Sequence, residues 1–118
     1  MGKRRHKFNA CKCQEDGFTF PSKLERDTYR HLKLLHDKGI VVSVVLQYPF
    51  VLRANSGAPI GKYVADFVCT LPNGREVVVE SKGKSTSLWN RSKKHFIADY
   101  PEYKLIEVRD RSELPWEL

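Results

Sequence analysis

Between residues 22 and 38 the side chains sort by helical spacing. Leu24, Thr28, His31, Leu32 and Leu35 fall on one face, and Arg26, Arg30 and Lys33 on the other. Pro21 and Ser22 supply a start signal and Gly39 a stop, so the pattern predicts a helix over 22–38. Residues 40–52 are β-rich, with Val41, Val42, Val44, Val45, Tyr48 and Phe50, and Pro49 marks a bulge or an edge. A Gly/Pro/Ser loop covers 54–61. Two further strands flank Pro72-Asn73-Gly74, and a second helix is expected from Ser85 or Ser87 to about Ala98. Trp89, Phe96 and Ile97 give that helix an apolar side, Arg91, Lys93, Lys94 and His95 a basic one, and Pro101 ends it. Residues 103–108 read as a last strand. Upstream, Asp16-Gly17 signals a turn before a short extended Phe18-Thr19-Phe20. The order is helix, strand, strand, strand, helix, strand: an α/β domain with a mixed sheet flanked by helices.

The central hairpin breaks its own pattern. Tyr63-Val64-Ala65-Asp66-Phe67 and Val77-Val78-Val79-Glu80-Ser81-Lys82-Gly83 are strand-like apolar runs, yet each carries an acid. A two-residue Asn73-Gly74 turn would place Asp66 and Glu80 on opposite faces, because side chains alternate along a strand. Pro72 has no N–H for the closing pair of such a turn. A three-residue Pro72-Asn73-Gly74 loop pairs Leu71 with Arg75 instead, sets Asp66 opposite Glu80, and leaves Lys82 on the same face.

Buried carboxylates are costly without a compensating cation. Asp66 and Glu80 with Lys82 therefore suggest a metal site, with oxygen donors suited to Mg²⁺ or Mn²⁺. The plainer reading is a cross-strand ion-pair ladder on a solvated face. Val64, Val68 and Val78 share that face, and an apolar face is normally covered. Glu25 lies within about 20° of Leu32 around the first helix, at the edge of its buried side. Ser22-x-x-Glu25 is also a capping box, in which the glutamate bonds back to the helix end; the spacing by itself favours the cap. Gln47 lies inside a strand, where a polar group is ordinarily satisfied by backbone.

The 118 residues suffice for one domain, and 21 Lys and Arg against 14 Asp and Glu leave a net charge of +7. A pI near 9.5 points to a polyanionic partner, nucleic acid above all. Residues 1–8 form a basic arm with Lys3, Arg4, Arg5 and Lys7, too poor in apolar residues to fold alone; residues 9–118 form the domain. Lys84, Arg91, Lys93 and Lys94 complete the cations expected to meet phosphates. No apolar run is long enough for a membrane span, and the N-terminus lacks a signal peptide's apolar core. Three cysteines, an odd number, fit a reducing cytoplasm better than a disulfide framework. Cys11-Lys12-Cys13 with His6 and Cys69 lacks the spacing of a structural zinc site. There is no nucleophile elbow and no glycine-rich phosphate loop.

Asp66, Glu80-x-Lys82 and an upstream helical Glu25 resemble the signature of the PD-(D/E)XK nuclease superfamily. The chain from about residue 9 to 108 is similar to a family of small phage and prophage proteins catalogued as a domain of unknown function. The stretches that carry this likeness are Asp16-Gly17-Phe18, Ser22-Lys23-x-Glu25, residues 32–35, Gln47-Tyr48-Pro49-Phe50, Tyr63-Val64-Ala65-Asp66-Phe67 and Val79-Glu80-Ser81-Lys82-Gly83. The resemblance implies a restriction-endonuclease-like α-β-β-β-α-β fold. It also implies a Mg²⁺- or Mn²⁺-dependent DNA endonuclease in which Asp66, Glu80 and Glu25 hold the metal and Lys82 serves catalysis. Ala65 stands where the superfamily's name has proline. By analogy with small, basic, dimeric phage resolvases, the substrate is branched or structured DNA and the protein a homodimer. The rivals are a binding module without catalysis and a subunit that needs a partner to deliver it to DNA.

Overall fold

The computed structural model describes residues 12–118; the cations at Lys3, Arg4, Arg5 and Lys7, with His6 and Cys11, lie outside the described residues. A hairpin of β1 (Cys13–Glu15) and β2 (Phe18–Phe20) comes first. Asp16 (φ 53°) and Gly17 (φ 85°) supply the two left-handed residues that such a tight turn requires. No period in the sequence signals the three-residue β1. Helix α1 (Lys23–Asp37) follows, capped by the Ser22 hydroxyl, which accepts the Glu25 N–H at 3.1 Å. Gly39 (φ 79°) turns the chain out of it.

Four strands form the sheet: β3 (Ser43–Arg53), β4 (Pro59–Thr70), β5 (Glu76–Ser81) and β6 (Lys104–Val108), in the spatial order β3-β4-β5-β6. The first three pair antiparallel. The sheet is mixed because α2 (Ser87–Asp99) carries the chain across to lay β6 parallel to β5. Thr86, not Ser85 or Ser87, caps α2, its hydroxyl accepting the Trp89 N–H at 3.1 Å. The loop expected over 54–61 is shorter. Gly57 (φ 91°) closes a tight turn and Pro59 already opens β4, a position where a strand tolerates a missing N–H.

Alternation along β5 sorts the core. Val77 and Val79 join Leu32, Leu35, Phe20 and Phe67 under α1, while Val78 joins Trp89 and Phe96 under α2. The two helices therefore cover opposite faces of the sheet. Ile97, expected on the apolar side of α2, is half exposed.

The β3–β4 ribbon does not keep one face throughout. Val44 and Leu46 pack on the α1 side, whereas Phe50 and Leu52, of the same parity, pack on the α2 side. On β4, Phe67 and Cys69 belong to the first core and Tyr63 and Ala65 to the second. The reversal falls between the pairs Leu46↔Phe67 and Tyr48↔Ala65, where Gln47 adopts φ 54°. A left-handed non-glycine residue costs about 1–2 kcal/mol. It is spent opposite Asp66.

Candidate functional site

β4 and β5 pair from Thr70↔Glu76 to Phe67↔Val79 and then part. The register extends at one end to Leu71 and Arg75, closing a three-residue loop. There the Leu71 N–H donates to the Arg75 carbonyl at 2.8 Å, and Gly74 takes φ 87°. At the other end it brings Asp66 opposite Glu80, at the fork where the strands diverge. Ladder bonds that the fork removes are replaced by the acids themselves. Glu80 Oε1 accepts the Asp66 N–H at 3.2 Å, and Asp66 Oδ2 accepts the Ser81 N–H at 2.9 Å. The Tyr63 hydroxyl also donates to Glu80 Oε1, at 2.6 Å.

Glu25 enters from the first turn of α1. Its carboxylate turns inward, where Oε2 accepts the Gln47 side-chain N–H at 3.1 Å. Among the described residues it makes no bond back to Ser22, so the hydroxyl half of the capping box exists without the glutamate half. Gln47 is satisfied by this side chain rather than by backbone, and its left-handed conformation falls where the ribbon turns over beside Asp66.

All three carboxylates are buried: Glu25 is 5% exposed, Asp66 9% and Glu80 3%. Burial raises all three pKa values. Asp66 is pushed up to about 8, first by desolvation and then by the charges of Glu80 and Glu25. Burial likewise raises the Tyr63 hydroxyl, which stays a donor. Lys82 brings the nearby cation, with Nζ 3.6 Å from Glu80 Oε2 and 5.4 Å from the centroid of Trp89. The indole is itself anchored, because Nε1–H donates to Glu107 Oε1 at 2.9 Å and Lys93 Nζ donates to Glu107 Oε2 at 2.8 Å. Lys93 is thereby committed inside the protein, unlike Lys84, Arg91 and Lys94, which are exposed and without an acidic partner among the described residues.

The acids separate two hollows. One, of about 530 Å³, lies beside Asp66 and Glu25 and is walled by Phe18, Phe20, Leu46 and Gln47. The other, of about 220 Å³, lies beside Glu80 and Lys82 and is walled by Lys62, Trp89, Thr86 and Ser92. Glu25 Oε1 and Asp66 Oδ1 keep no hydrogen-bond donor among the described residues, and Glu80 Oε2 faces only the Lys82 ammonium. As placed, no three His, Cys, Asp or Glu side chains among the described residues are gathered closely enough to hold a metal ion. Their donor chemistry nonetheless fits a hard divalent cation: three buried carboxylates repel one another around a single ammonium.

The fold and site define a small α/β domain, with a mixed four-stranded sheet between two helices and an acidic cluster at its central fork. Residues 5–112 match a family model described as "Protein of unknown function (DUF1064)", and the chain belongs to that family. No curated protein and no solved structure matches it. No helix among the described residues is long and apolar enough to cross a membrane. Sequence reasoning brought forward Glu25, Asp66, Glu80 and Lys82. It missed Tyr63 and Trp89, whose places at Glu80 and Lys82 depend on contacts between elements; the one signal was a tyrosine three residues before Asp66 on an otherwise aliphatic run.

Proposed function

We propose that the chain is a metal-dependent DNA endonuclease with a restriction-endonuclease-like fold of the PD-(D/E)XK type, hydrolysing phosphodiester bonds in branched or structured DNA. The observation that carries this reading is a cluster of three buried carboxylates beside Lys82. In it Glu25 and Asp66 each keep one oxygen without a protein donor among the described residues, and Glu80 turns its second oxygen to Lys82. Asp66 and Glu80 would hold Mg²⁺ or Mn²⁺, with Glu25 as a further ligand, directly or through water. When bound, the ion supplies polarisation of the phosphate, a water acidified toward hydroxide and charge stabilisation at the leaving oxygen.

The chain's own residues do the rest. Tyr63 and the Asp66 N–H hold one oxygen of Glu80 and so aim the other toward Lys82. Lys82, kept beside Glu80 and over the Trp89 ring, orients the attacking water or neutralises charge building on the phosphate. Net charge of +7 favours a polyanionic substrate. Because the acids are turned partly onto protein donors, a site completed only on DNA, or on a partner that delivers it, is the second reading.

The test is incubation with four-way junction, flap, duplex and single-stranded DNA, with Mg²⁺, with Mn²⁺ and with EDTA. Divalent-dependent cleavage is expected. Binding without cleavage under every condition would leave a binding module.

A further inference from the structure

The cations of this chain are paired unevenly between its two helical sides. Around α1, Arg26, Arg30 and Arg111 share Asp27, Arg30 also meets Glu15, and Lys33 meets Asp16. Only the ends of that helix keep unpaired cations among the described residues, Lys23 and Lys38. Around α2 and the adjoining edge of β4 the balance reverses. Lys62, Lys84, Arg91 and Lys94 are all exposed there and none has an acidic partner among the described residues.

The two hollows at the acid cluster differ in the same sense. The one under β1–β2 offers a phosphate two carboxylates, Glu25 and Asp66, and carbon walls from Phe18, Phe20 and Leu46. The one on the α2 side sets Lys62 and Lys82 against a single carboxylate, Glu80, with the hydroxyl side chains Thr86 and Ser92 on its wall. It opens because β5 leaves β4 beyond Phe67, so β4 runs on past the fork and carries Lys62 to the rim. With no metal ion bound, the second hollow, with two cations against one acid, is the better seat for a phosphate.

We propose that Lys62 is a phosphate-contacting residue, and that a nucleic-acid backbone enters the Glu80–Lys82 site from the α2 side, between Lys62 on β4 and Lys84 and Arg91 around the start of α2. This deepens the endonuclease reading and rests on it for the substrate, but it concerns binding and is tested without cleavage.

Anisotropy of labelled four-way junction DNA, titrated with the full chain in EDTA across a salt series, reads it. Lys62→Ala should weaken binding about tenfold at low salt and lower the slope of log K against log salt by about 1. Lys62→Arg should restore both, while Lys38→Ala, at the far end of α1, should change neither. Lys62 is exposed, and a melting curve of each variant serves as the check that it keeps its fold. Equal affinity and slope for Lys62→Ala and wild type would overturn the assignment. So would an equal loss in Lys38→Ala, which would reduce the effect to net charge, and so would a wild-type chain that does not bind DNA at low salt. DNA bound through Lys62 but never cut with any divalent ion would instead refute the endonuclease and leave this surface standing.

Discussion

Replacing Asp66 with asparagine should flatten the pH dependence of stability in the metal-free protein. Burial and the neighbouring charges of Glu80 and Glu25 raise the Asp66 carboxyl from its ordinary 3.8 to about 8. A carboxyl that holds its proton more tightly when folded contributes stability that is complete below about pH 4. That stability is lost as pH rises through the folded pKa. Between pH 5 and 9 the Asp66 shift alone then costs on the order of 4 kcal/mol. The asparagine side chain cannot ionise, and its carbonyl can still accept the Ser81 N–H. In EDTA, the Tm of wild type should fall steadily from pH 5 to 9, while Asp66→Asn falls far less and is the more stable protein at pH 8. One kcal/mol moves Tm by about 4 °C in a domain of this size, so circular dichroism melts resolve the difference. Adding Mg²⁺ at pH 8 should raise the wild-type Tm and leave the variant's unchanged. Parallel curves for the two proteins would refute the reasoning, since they would mean that Asp66 is not held against its charge.

Glu25→Gln should melt close to wild type, because Ser22 alone caps α1 and Gln47 can still donate to the new amide oxygen. Its cleavage should drop severely and recover in part at high Mn²⁺; unimpaired cleavage would remove Glu25 from the site. Lys82→Ala should lose roughly 10²–10⁴ in turnover, measured in single-turnover assays at saturating protein. That loss is far larger than its weakening of DNA binding, by about one phosphate contact. Lys93→Ala should lower stability by about 1–3 kcal/mol, because it leaves the Glu107 carboxylate unpaired beside Trp89. The salt slope of DNA binding should be unchanged in Lys93→Ala and reduced in Lys94→Ala.

Much of this site was legible because its information is local. Pro72 forbids the two-residue turn, Gly74 supplies the left-handed position, and the resulting register brings Asp66 to Glu80 by counting alone. Helix α1 announced itself through spacing and caps for the same reason. What escaped depends on how elements meet. Uninterrupted alternation on β4 would keep Tyr63 and Phe67 on one face, yet the ribbon reverses at Gln47 and sends them to different cores. No period in the sequence encodes that turn. Lys93 sits among Arg91, Lys94 and His95 and reads as one more cation on a basic helix face. Glu107, on β6, takes its charge, while the Trp89 indole N–H holds the other oxygen of that carboxylate. Glu25 was ambiguous because cap and ligand need the same residue at the same position, and only the inward rotation toward Gln47 separates them.

The central claim is that Glu25, Asp66 and Glu80 form a divalent-metal site, and Mn²⁺ binding followed by electron paramagnetic resonance tests it most directly. Bound Mn²⁺ loses the six-line signal of the free ion, so the count and affinity of sites come without any DNA or cleavage. Wild type should bind Mn²⁺ with Mg²⁺ in competition, and Asp66→Asn and Glu80→Gln should each abolish the site while remaining folded. Undiminished Mn²⁺ binding in both variants, or no binding by wild type up to millimolar Mn²⁺ with and without DNA, would contradict it.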